Sequence, residues 1–421
     1  MKRIPAKALL VTIVIILVLT SLIFSLMLYY FYQQQAYNNV LISLQLTANN
    51  EAAIQIMLND TFPATDPQDS STAYDLYHNN EQVINIKKFR WGNYIVITSI
   101  AKNKHLEKRD AVLIGNPLIN DTCAFYLADH GSSIVFTGDA SIVGNCFIPR
   151  NGFKTAYFEG LPYEKNQAII GTQKQSTQTL PAIDTSFAQK TDLLLRSIVS
   201  GKQLSTKFIS EVDDSVHQSF FNNPRYYYNE HEVVLKHSYL KGQIVVASLK
   251  SITVYKSSRL QDVILIAPVI ICKDGVEGAF QAFASDTLII EKNAKLLYPS
   301  CLSIQNNNSD PNHSYMRLDS NASISGSIVT PMPFTTITNI RMEMAPTSLV
   351  TGSIYWNGMA NIQGKIIGEL LCDKIYANTK RGYYLNYLFN AELNRINLHP
   401  QFVNHCLINN SNNKKKVKWL Y

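Results

Sequence analysis

Charged side chains are scarce in this sequence. They make up 16% of its 421 residues, whereas about 25% is usual for soluble domains. The net charge of +7 comes from the two ends, which contribute Lys2, Arg3 and Lys7, and Lys414, Lys415, Lys416 and Lys418. The body of the chain is therefore nearly neutral. This argues against nucleic-acid binding, because that needs positive charge concentrated on a folded surface.

Motifs for metal, cofactor or nucleophilic chemistry are also lacking. The six cysteines are too far apart in sequence for a CxxC or zinc-ribbon motif. His231 and His237 flank an apolar run, but six residues of strand would separate them by about 20 Å, too far for one metal ion. No phosphate-binding loop, GxSxG or HExxH motif occurs. We therefore predict no catalytic, cofactor-binding or metal-binding residues.

The cysteines allow two interpretations. They are Cys123, Cys146, Cys272, Cys301, Cys372 and Cys406. Outside the cytoplasm, the pairs nearest in sequence, Cys123 with Cys146 and Cys272 with Cys301, can form disulfides. Cysteine is also among the most often buried residue types, and we favour small buried side chains.

Acidic residues are spread singly along the later predicted strands, at Asp262, Asp274, Glu277, Asp286 and Glu291. A carbohydrate-cleaving β-helix needs clustered carboxylates for acid–base catalysis or for calcium. We therefore predict that the protein is not an enzyme. The alternative is a membrane-tethered carbohydrate-binding or carbohydrate-cleaving β-helix protein.

One long apolar run contrasts with these absences. Residues Ala8 to Phe31 contain no charge, Gly or Pro, and at 1.5 Å per residue they cover the roughly 30 Å of a hydrocarbon layer. A cleavable signal peptide would have a shorter apolar core and a small-residue cleavage site, so we predict a retained single-pass anchor. The basic residues before it predict that the N-terminus lies in the cytoplasm and the body outside. In a bacterium that would mean the periplasm or the cell surface.

The helix is predicted to continue beyond the membrane as a stalk. Residues Gln33 to Leu58 lack Gly and Pro and show roughly helical apolar spacing, with Asn49 and Asn50 as a weak point. Residues 60–71 then break it with two prolines and many polar residues. A helix of about fifty residues would be roughly 75 Å long.

This arrangement resembles the N-terminal helix of type IV pilins and pseudopilins, which is half membrane span and half support for a β-rich head. The pilin processing motif, a Gly followed by Phe or Met with a Glu five residues into the mature chain, is replaced here by Ala6 to Leu10. The resemblance therefore extends to pseudopilin-like proteins without that Glu, and it implies a role in secretion or surface assembly.

The rest of the chain is typical of β-structure. A meander is predicted first, with strands at 83–86, 94–100 and 111–114 and a charged turn at 102–110. Further short strands follow as far as residue 290.

An apolar-x-Gly-x-apolar unit then recurs around Gly326, Gly352 and Gly364, with the apolar residues and the Gly on one face. Short strands at uneven spacing with small corner residues favour a parallel β-solenoid. An antiparallel sandwich or barrel is the alternative.

Two segments interrupt this pattern. Residues 186–212 have helical apolar spacing and lead into an aromatic cluster. This cluster is our candidate interaction patch for a glycan or a protein, unless it packs the insertion onto the body: Phe220, Phe221, Tyr226, Tyr227 and Tyr228. Tyr384 to Asn394 is predicted to form a short helix or cap. The lysines at 414–418 are predicted to be a solvated terminus.

We therefore divide the chain into five segments. They are the cytoplasmic basic end with the transmembrane and stalk helix (1–59), the meander with the first solenoid strands (60–185), the helical and aromatic insertion (186–240), the main solenoid (241–380), and the cap with the basic tail (381–421).

The body is also similar to a group of membrane-anchored Bacteroidota proteins with β-solenoid heads. The likeness covers most of the chain and rests on Ala267-Pro268, Gly278 to Phe283, Leu297 to Ser300, Gly352 to Tyr355 and Tyr384 to Tyr387. It implies an architecture and a bacterial source but no activity. The Gly-spaced repeats also resemble bactofilins, which are polymer-forming β-solenoids.

Together these features predict a mainly β, single-pass protein of a bacterial inner membrane, with a structural or assembly role and its main domain in the periplasm. The expected partners are the membrane, other envelope proteins or further copies of the chain, and carbohydrate.

Overall fold

The computed structural model describes residues 6–58, 64–65, 72–75, 83–103, 106–118, 123–199, 207–208, 215–304, 314–331, 340–408 and 414–420. Contacts divide the chain into two units. The first contains residues 1–56, 71–86 and 99–110, and the second contains 57–70, 87–98 and 111–421.

The long helix α1 runs from Ala6 to Leu58 and belongs to the first unit as far as Ile56. Its large apolar side chains from Leu9 to Leu41 are exposed by 40% to 71%, on all sides of the helix. A helix that is apolar all round needs an apolar environment. Within the described ranges, α1 is the one helix long and apolar enough to cross a membrane, by length and composition. The predicted long apolar helix is therefore confirmed, while Lys2 and Arg3 lie outside the described residues.

The far end of α1 has a buried polar residue, Asn50, where the sequence suggested a weak point. Ser99 Oγ donates to Asn50 Oδ1 (2.7 Å), and Asn50 Nδ2 donates to the Lys108 carbonyl (3.1 Å) and to Asp110 Oδ2 (2.8 Å). A buried amide is tolerated when its donors and acceptor are paired. The helix therefore continues through Asn49 and Asn50, and the predicted weak point is wrong.

Replacing Asn50 by Ala is expected to destabilise the first unit by about 2 kcal/mol, because it leaves buried hydrogen-bonding partners unpaired. Hydrogen exchange of the amides in 99–103 and 106–110 should then speed up. Asn39→Ala is the matched control, since Asn39 is exposed on the same helix. Equal exchange in both variants would contradict this role for Asn50.

Four strands form the meander after α1. They are β1 (Thr72–Asp75), β2 (Val83–Trp91), β3 (Tyr94–Asn103) and β4 (Leu106–Gly115). The predicted strands are confirmed and are longer than expected. The predicted charged turn at 102–110 is wrong, because β4 already begins at Leu106. Its charges are paired at the surface, where Glu107 contacts Arg109 and lies 2.9 Å from Lys102 Nζ.

The second unit contains the remaining strands. The first group is β5 (Cys123–Leu127), β6 (Ile134–Thr137), β7 (Ser141–Val143), β8 (Asn145–Ile148), β9 (Phe153–Thr155), β10 (Ile169–Ile170) and β11 (Gln173–Gln175). Helix α2 (Thr185–Val199) precedes β12 (Lys207–Phe208), β13 (Ser215–Gln218), β14 (Arg225–Asn229), β15 (Val233–Leu235), β16 (Tyr239–Gly242), β17 (Ile244–Ser248) and β18 (Ser251–Val254).

Longer strands follow these. They are β19 (Arg259–Cys272), β20 (Glu277–Ile290), β21 (Lys295–Ile304), β22 (Tyr315–Leu318), β23 (Ser323–Val329), β24 (Arg341–Met344), β25 (Leu349–Ile362) and β26 (Lys365–Thr379). The last group is β27 (Gly382–Leu385), β28 (Tyr387–Phe389), β29 (Glu392–Asn394) and β30 (Lys415–Leu420).

Parallel pairing joins most of these strands into three series. The first series runs β13, β16, β19, β20, β21, β23, β25, β26, β29, β7, β10. The second runs β12, β14, β17, β19, β20, β21, β23, β25, β26, β5, β8, β11. The third runs β15, β18, β19, β20, β22, β24, β25. A separate three-stranded parallel sheet joins β28, β6 and β9. The pairings close into a ring of six parallel strands with further strands added. The mainly β prediction is confirmed, and the solenoid stays a prediction.

The spatial order of the strands differs from their order in the chain. Leu370 of β26 pairs with Phe125 of β5, and Leu393 of β29 pairs with Ile142 of β7. The strands between residues 123 and 175 therefore continue the first and second series after β26 and β29. Among the described residues, the first series thus runs from β13 to β10 and the second from β12 to β11.

The glycine repeat lies in β23, β25 and β26, which are consecutive strands of the first and second series. Gly326, Gly352 and Gly368 are neighbours in register, with φ of +144°, +144° and +147°. The flanking apolar side chains are buried in the core, as the alternation predicted. The third member of the repeat is Gly368, because Gly364 lies in the turn between β25 and β26.

Three other sequence predictions are corrected. The helix predicted over 186–212 ends at Val199, and Lys207–Phe208 form a strand on Tyr227–Tyr228. The predicted cap helix at 384–394 is instead strand, because β28 and β29 find parallel partners in β6 and β7. The basic tail is not a solvated terminus, because β30 pairs antiparallel with β4. The predicted break at 60–71 lies almost wholly outside the described residues.

Candidate functional site

The aromatic residues of the candidate interaction patch do not share one surface. Phe220 is buried against Trp91, with ring centroids 5.6 Å apart. Tyr227 is also buried, whereas Tyr226 and Tyr228 on the same strand are half-buried. This follows from the alternation of side chains along β14.

Phe221, the fifth residue of the patch, is half-buried. At most three rings of the set are thus accessible, and an interaction role for them stays a prediction.

Three of the five acidic residues of the later strands have close structural partners, and the backbone N–H of Asp274 also donates to Glu291 Oε2 at 3.2 Å. Asp262 contacts Lys418 of the tail strand, and Glu291 Oε1 lies 2.8 Å from Lys273 Nζ. Asn293 Nδ2 donates to Asp274 Oδ1 at 3.0 Å. No group of three or more His, Cys, Asp or Glu able to hold a metal ion occurs among the residues that the structure describes.

All six cysteines are buried and none is in a disulfide. The favoured interpretation, small buried side chains, therefore agrees with the structure. Burial raises the pKa of the thiols of Cys123, Cys146, Cys272 and Cys301 to about 12. Thiols that are neutral and shielded from solvent are poor nucleophiles.

A polar groove lies at the carboxyl ends of β5, β8 and β11, which are consecutive strands of the second series. The ends of parallel strands meet at one edge, so three turns that are distant in sequence come together there. The groove has a volume of about 1000 Å³. Its lining consists of Asp129, His130, Gly131, Arg150, Asn151, Gln175, Ser176, Thr177, Gln178 and Thr179.

Asp129 ties the turns of the groove together. Its Oδ1 accepts from Gly131 N (2.9 Å), its Oδ2 accepts from Arg150 N (3.0 Å), and its own N donates to the Thr177 carbonyl (2.8 Å). The backbone N–H of Arg150, and then that of Gly131, lower the pKa of the Asp129 carboxyl. The carboxylate therefore stays ionised and holds two turns in place.

Two further contacts fix the rim of the groove. Asn151 Nδ2 donates to the Gly131 carbonyl at 2.7 Å, and His130 Nε2 lies 2.8 Å from Asp373 Oδ1. Sequence reasoning missed this site, since its only local signal is the polar run at 171–179. Asp129, Arg150 and Thr177 come together only through the order of the strands.

Comparison of the chain with protein-family models, with curated proteins and with solved structures gave no match in any of the three.

Proposed function

We propose that this protein is a non-enzymatic scaffold of a bacterial inner membrane, anchored by α1 with its N-terminus in the cytoplasm. The observation that carries this proposal is the charge-free surface of α1, which has no acidic or basic residue between Lys7 and Glu51. Burying that surface in lipid removes it from water, and the basic N-terminal end favours the cytoplasmic side. The pseudopilin-like arrangement of anchor and stalk belongs to this proposal.

The head is proposed to be a three-faced parallel solenoid, with each pairing series as one face. In support, the long strands β19, β20 and β25 each contribute to all three series, as a strand does when it follows one full coil. Such a pile offers a long repetitive surface for envelope partners.

A carbohydrate-cleaving role has less support. Glycoside hydrolysis uses two carboxyl groups that flank one bond, roughly 5–10 Å apart. Three of the five candidate carboxylates instead have close structural partners. Asp262 contacts Lys418, and Asp274 accepts from Asn293. Glu291 is held by Lys273 and by the backbone N–H of Asp274.

Anchoring is tested by alkaline extraction of membranes. The full-length chain is expected to stay in the pellet, and the double variant V14R/L22R is expected to move to the supernatant. Each Arg at the centre of a span costs about 2.5–3.5 kcal/mol. Leu44→Arg, beyond the predicted span, is the matched control and should stay in the pellet. Release of the unaltered chain would contradict the anchor.

The scaffold role is tested by solubilising membranes that contain two differently tagged copies of the chain. We expect stoichiometric co-purification of the second copy or of another envelope protein. Recovery of the tagged chain alone, under mild detergent and after cross-linking, would contradict a structural role.

A further inference from the structure

We propose that the groove at the carboxyl ends of β5, β8 and β11 binds a uronic-acid oligosaccharide, with Arg150 contacting a carboxylate of the ligand. This goes beyond the scaffold role, because a scaffold needs no small-ligand site. Four observations carry the proposal: the turns are fixed in advance, the free groups are polar, Arg150 is exposed without an ion pair among the described residues, and the groove has the size of a ligand site.

The groove is organised before any ligand arrives. Asp129 accepts from the Gly131 N–H of its own turn and from the Arg150 N–H of the next, and Asn151 adds a second link between these two turns. A third turn is held by Tyr126, whose hydroxyl lies 2.7 Å from Thr177 Oγ1 and donates to the Thr179 carbonyl at 3.0 Å. A site that is already ordered loses little conformational entropy on binding.

The side chains left over face solvent and are suited to a hydroxyl-rich ligand. Gln175, Gln178 and Thr179 are exposed, and each carries a hydrogen-bonding group. No aromatic or large apolar side chain lines the groove. A flat apolar ligand therefore finds no complementary surface, whereas a sugar chain can exchange its water contacts for protein hydrogen bonds.

Arg150 is the group of the groove that suits an acidic sugar, since it is the one Lys or Arg in the lining. It is exposed, and in the described part of the chain its guanidinium has no ion pair within 4.0 Å, although its charge helps to lower the pKa of the Asp129 carboxyl. The Asp129 carboxylate is occupied by backbone donors, and Asp373 contacts His130. A planar guanidinium matches a carboxylate with two parallel hydrogen bonds, and Arg150 is thus the group that can recognise a uronic acid.

The size of the groove agrees with an oligosaccharide. Its volume of about 1000 Å³ is at the upper end of the roughly 300–1000 Å³ usual for ligand sites. A groove of this size admits several sugar units.

The test is titration calorimetry on the full-length protein in lipid nanodiscs. Tetragalacturonate is the acidic probe, and maltotetraose is the neutral one. We expect tetragalacturonate to bind at least tenfold more tightly than maltotetraose, and Arg150→Gln to remove that preference. Arg150→Lys should restore part of the preference, because it keeps the charge but loses the planar fork.

Arg259→Gln is the matched control, because Arg259 is an exposed arginine on the first series, with Glu277 at 4.0 Å. It should bind tetragalacturonate like the unaltered chain. The proposal is overturned if tetragalacturonate does not bind, if both probes bind equally, or if Arg150→Gln binds as tightly as the control. Any of these results leaves the membrane-retention and co-purification tests unaffected.

Discussion

Replacing Gly352 by Ala is expected to destabilise the second unit by about 3 kcal/mol or more. A Cβ at this position would lie 1.9 Å from the carbonyl oxygen of Gly326 and 2.8 Å from Phe402. The φ of +144° at Gly352 is a second obstacle, since side-chain-bearing residues rarely adopt it. Gly326 cannot move aside, because it stacks in the same way on the Ser300 carbonyl.

The loss should appear as a lower midpoint of urea unfolding followed by tryptophan fluorescence. All three tryptophans, Trp91, Trp356 and Trp419, lie in the second unit, so their emission reports on it. Gly382→Ala is the matched control, because its nearest atom would be 3.7 Å away. That variant should stay within about 0.5 kcal/mol of the parent. Equal urea midpoints for the two variants would contradict the claim that Gly352 has no room for a Cβ.

Replacing Glu369 by Gln is expected to make the stability of the second unit strongly dependent on pH below neutrality. Glu369 is fully buried, and Ser353 Oγ donates to its Oε1 at 2.8 Å. Burial raises the pKa of this carboxyl to about 7, against the lowering effects of the Ser353 hydrogen bond and the Arg395 charge. The folded state therefore holds the proton more tightly than the unfolded state, and stability is lost as the pH rises from about 4.5 to about 7.

His405 has the opposite dependence. It is also fully buried, and burial lowers the pKa of its imidazole to about 3. As the pH falls, His405 is protonated in the unfolded chain before it is protonated in the folded one. Its contribution to stability is therefore fully present above pH 6.5 and is lost as the pH falls towards 3. Between pH 4.5 and 6.5 the two residues therefore cancel, each contributing about 2 kcal/mol of opposite sign.

The unaltered chain should thus show nearly constant stability from these two groups between pH 4.5 and 6.5. Glu369→Gln should lose about 2 kcal/mol on acidification through this window, and it should be about 3 kcal/mol more stable than the parent at pH 8. His405→Asn keeps an acceptor for the Leu407 N–H, which His405 Nδ1 accepts at 3.1 Å. It should instead lose stability as the pH rises. Urea midpoints at four pH values check this, and parallel profiles for all three proteins would contradict it.

The neighbour of His405, Asn404, fixes the segment that precedes β30. Ser327 Oγ donates to Asn404 Oδ1 at 2.7 Å, and Asn404 exchanges two backbone hydrogen bonds with Asn116. The segment before β30 is therefore fixed to β23 and to Asn116 by polar contacts that are shielded from water. Shielding is what moves the pKa values of Glu369 and His405 so far from their usual ranges.

The sequence by itself determined the helix α1 and several strands, because these elements depend on residues that are close together in the chain. The uninterrupted apolar run predicts α1, because helix formation and membrane burial depend on consecutive residues. Alternation predicts β2 and β3, and it places the residues on either side of Gly326 and Gly352 in the core, because side chains of a strand alternate between two faces. The lack of metal-binding and redox motifs is likewise read directly from the wide spacing of the cysteines and histidines in the sequence.

Partner choice was decided only by the tertiary structure. A strand's own residues determine which side chains face inward, but parallel pairing is made by backbone groups that every residue carries, so β26 can accept β5 as readily as a strand near it in the chain. Asn50, the tail strand β30 and the stacking of Gly368 on Gly352 became interpretable only once their neighbours were known. The same holds for Asp129, Arg150 and Thr177, which share a groove because the strands before them, β5, β8 and β11, are adjacent in the second series.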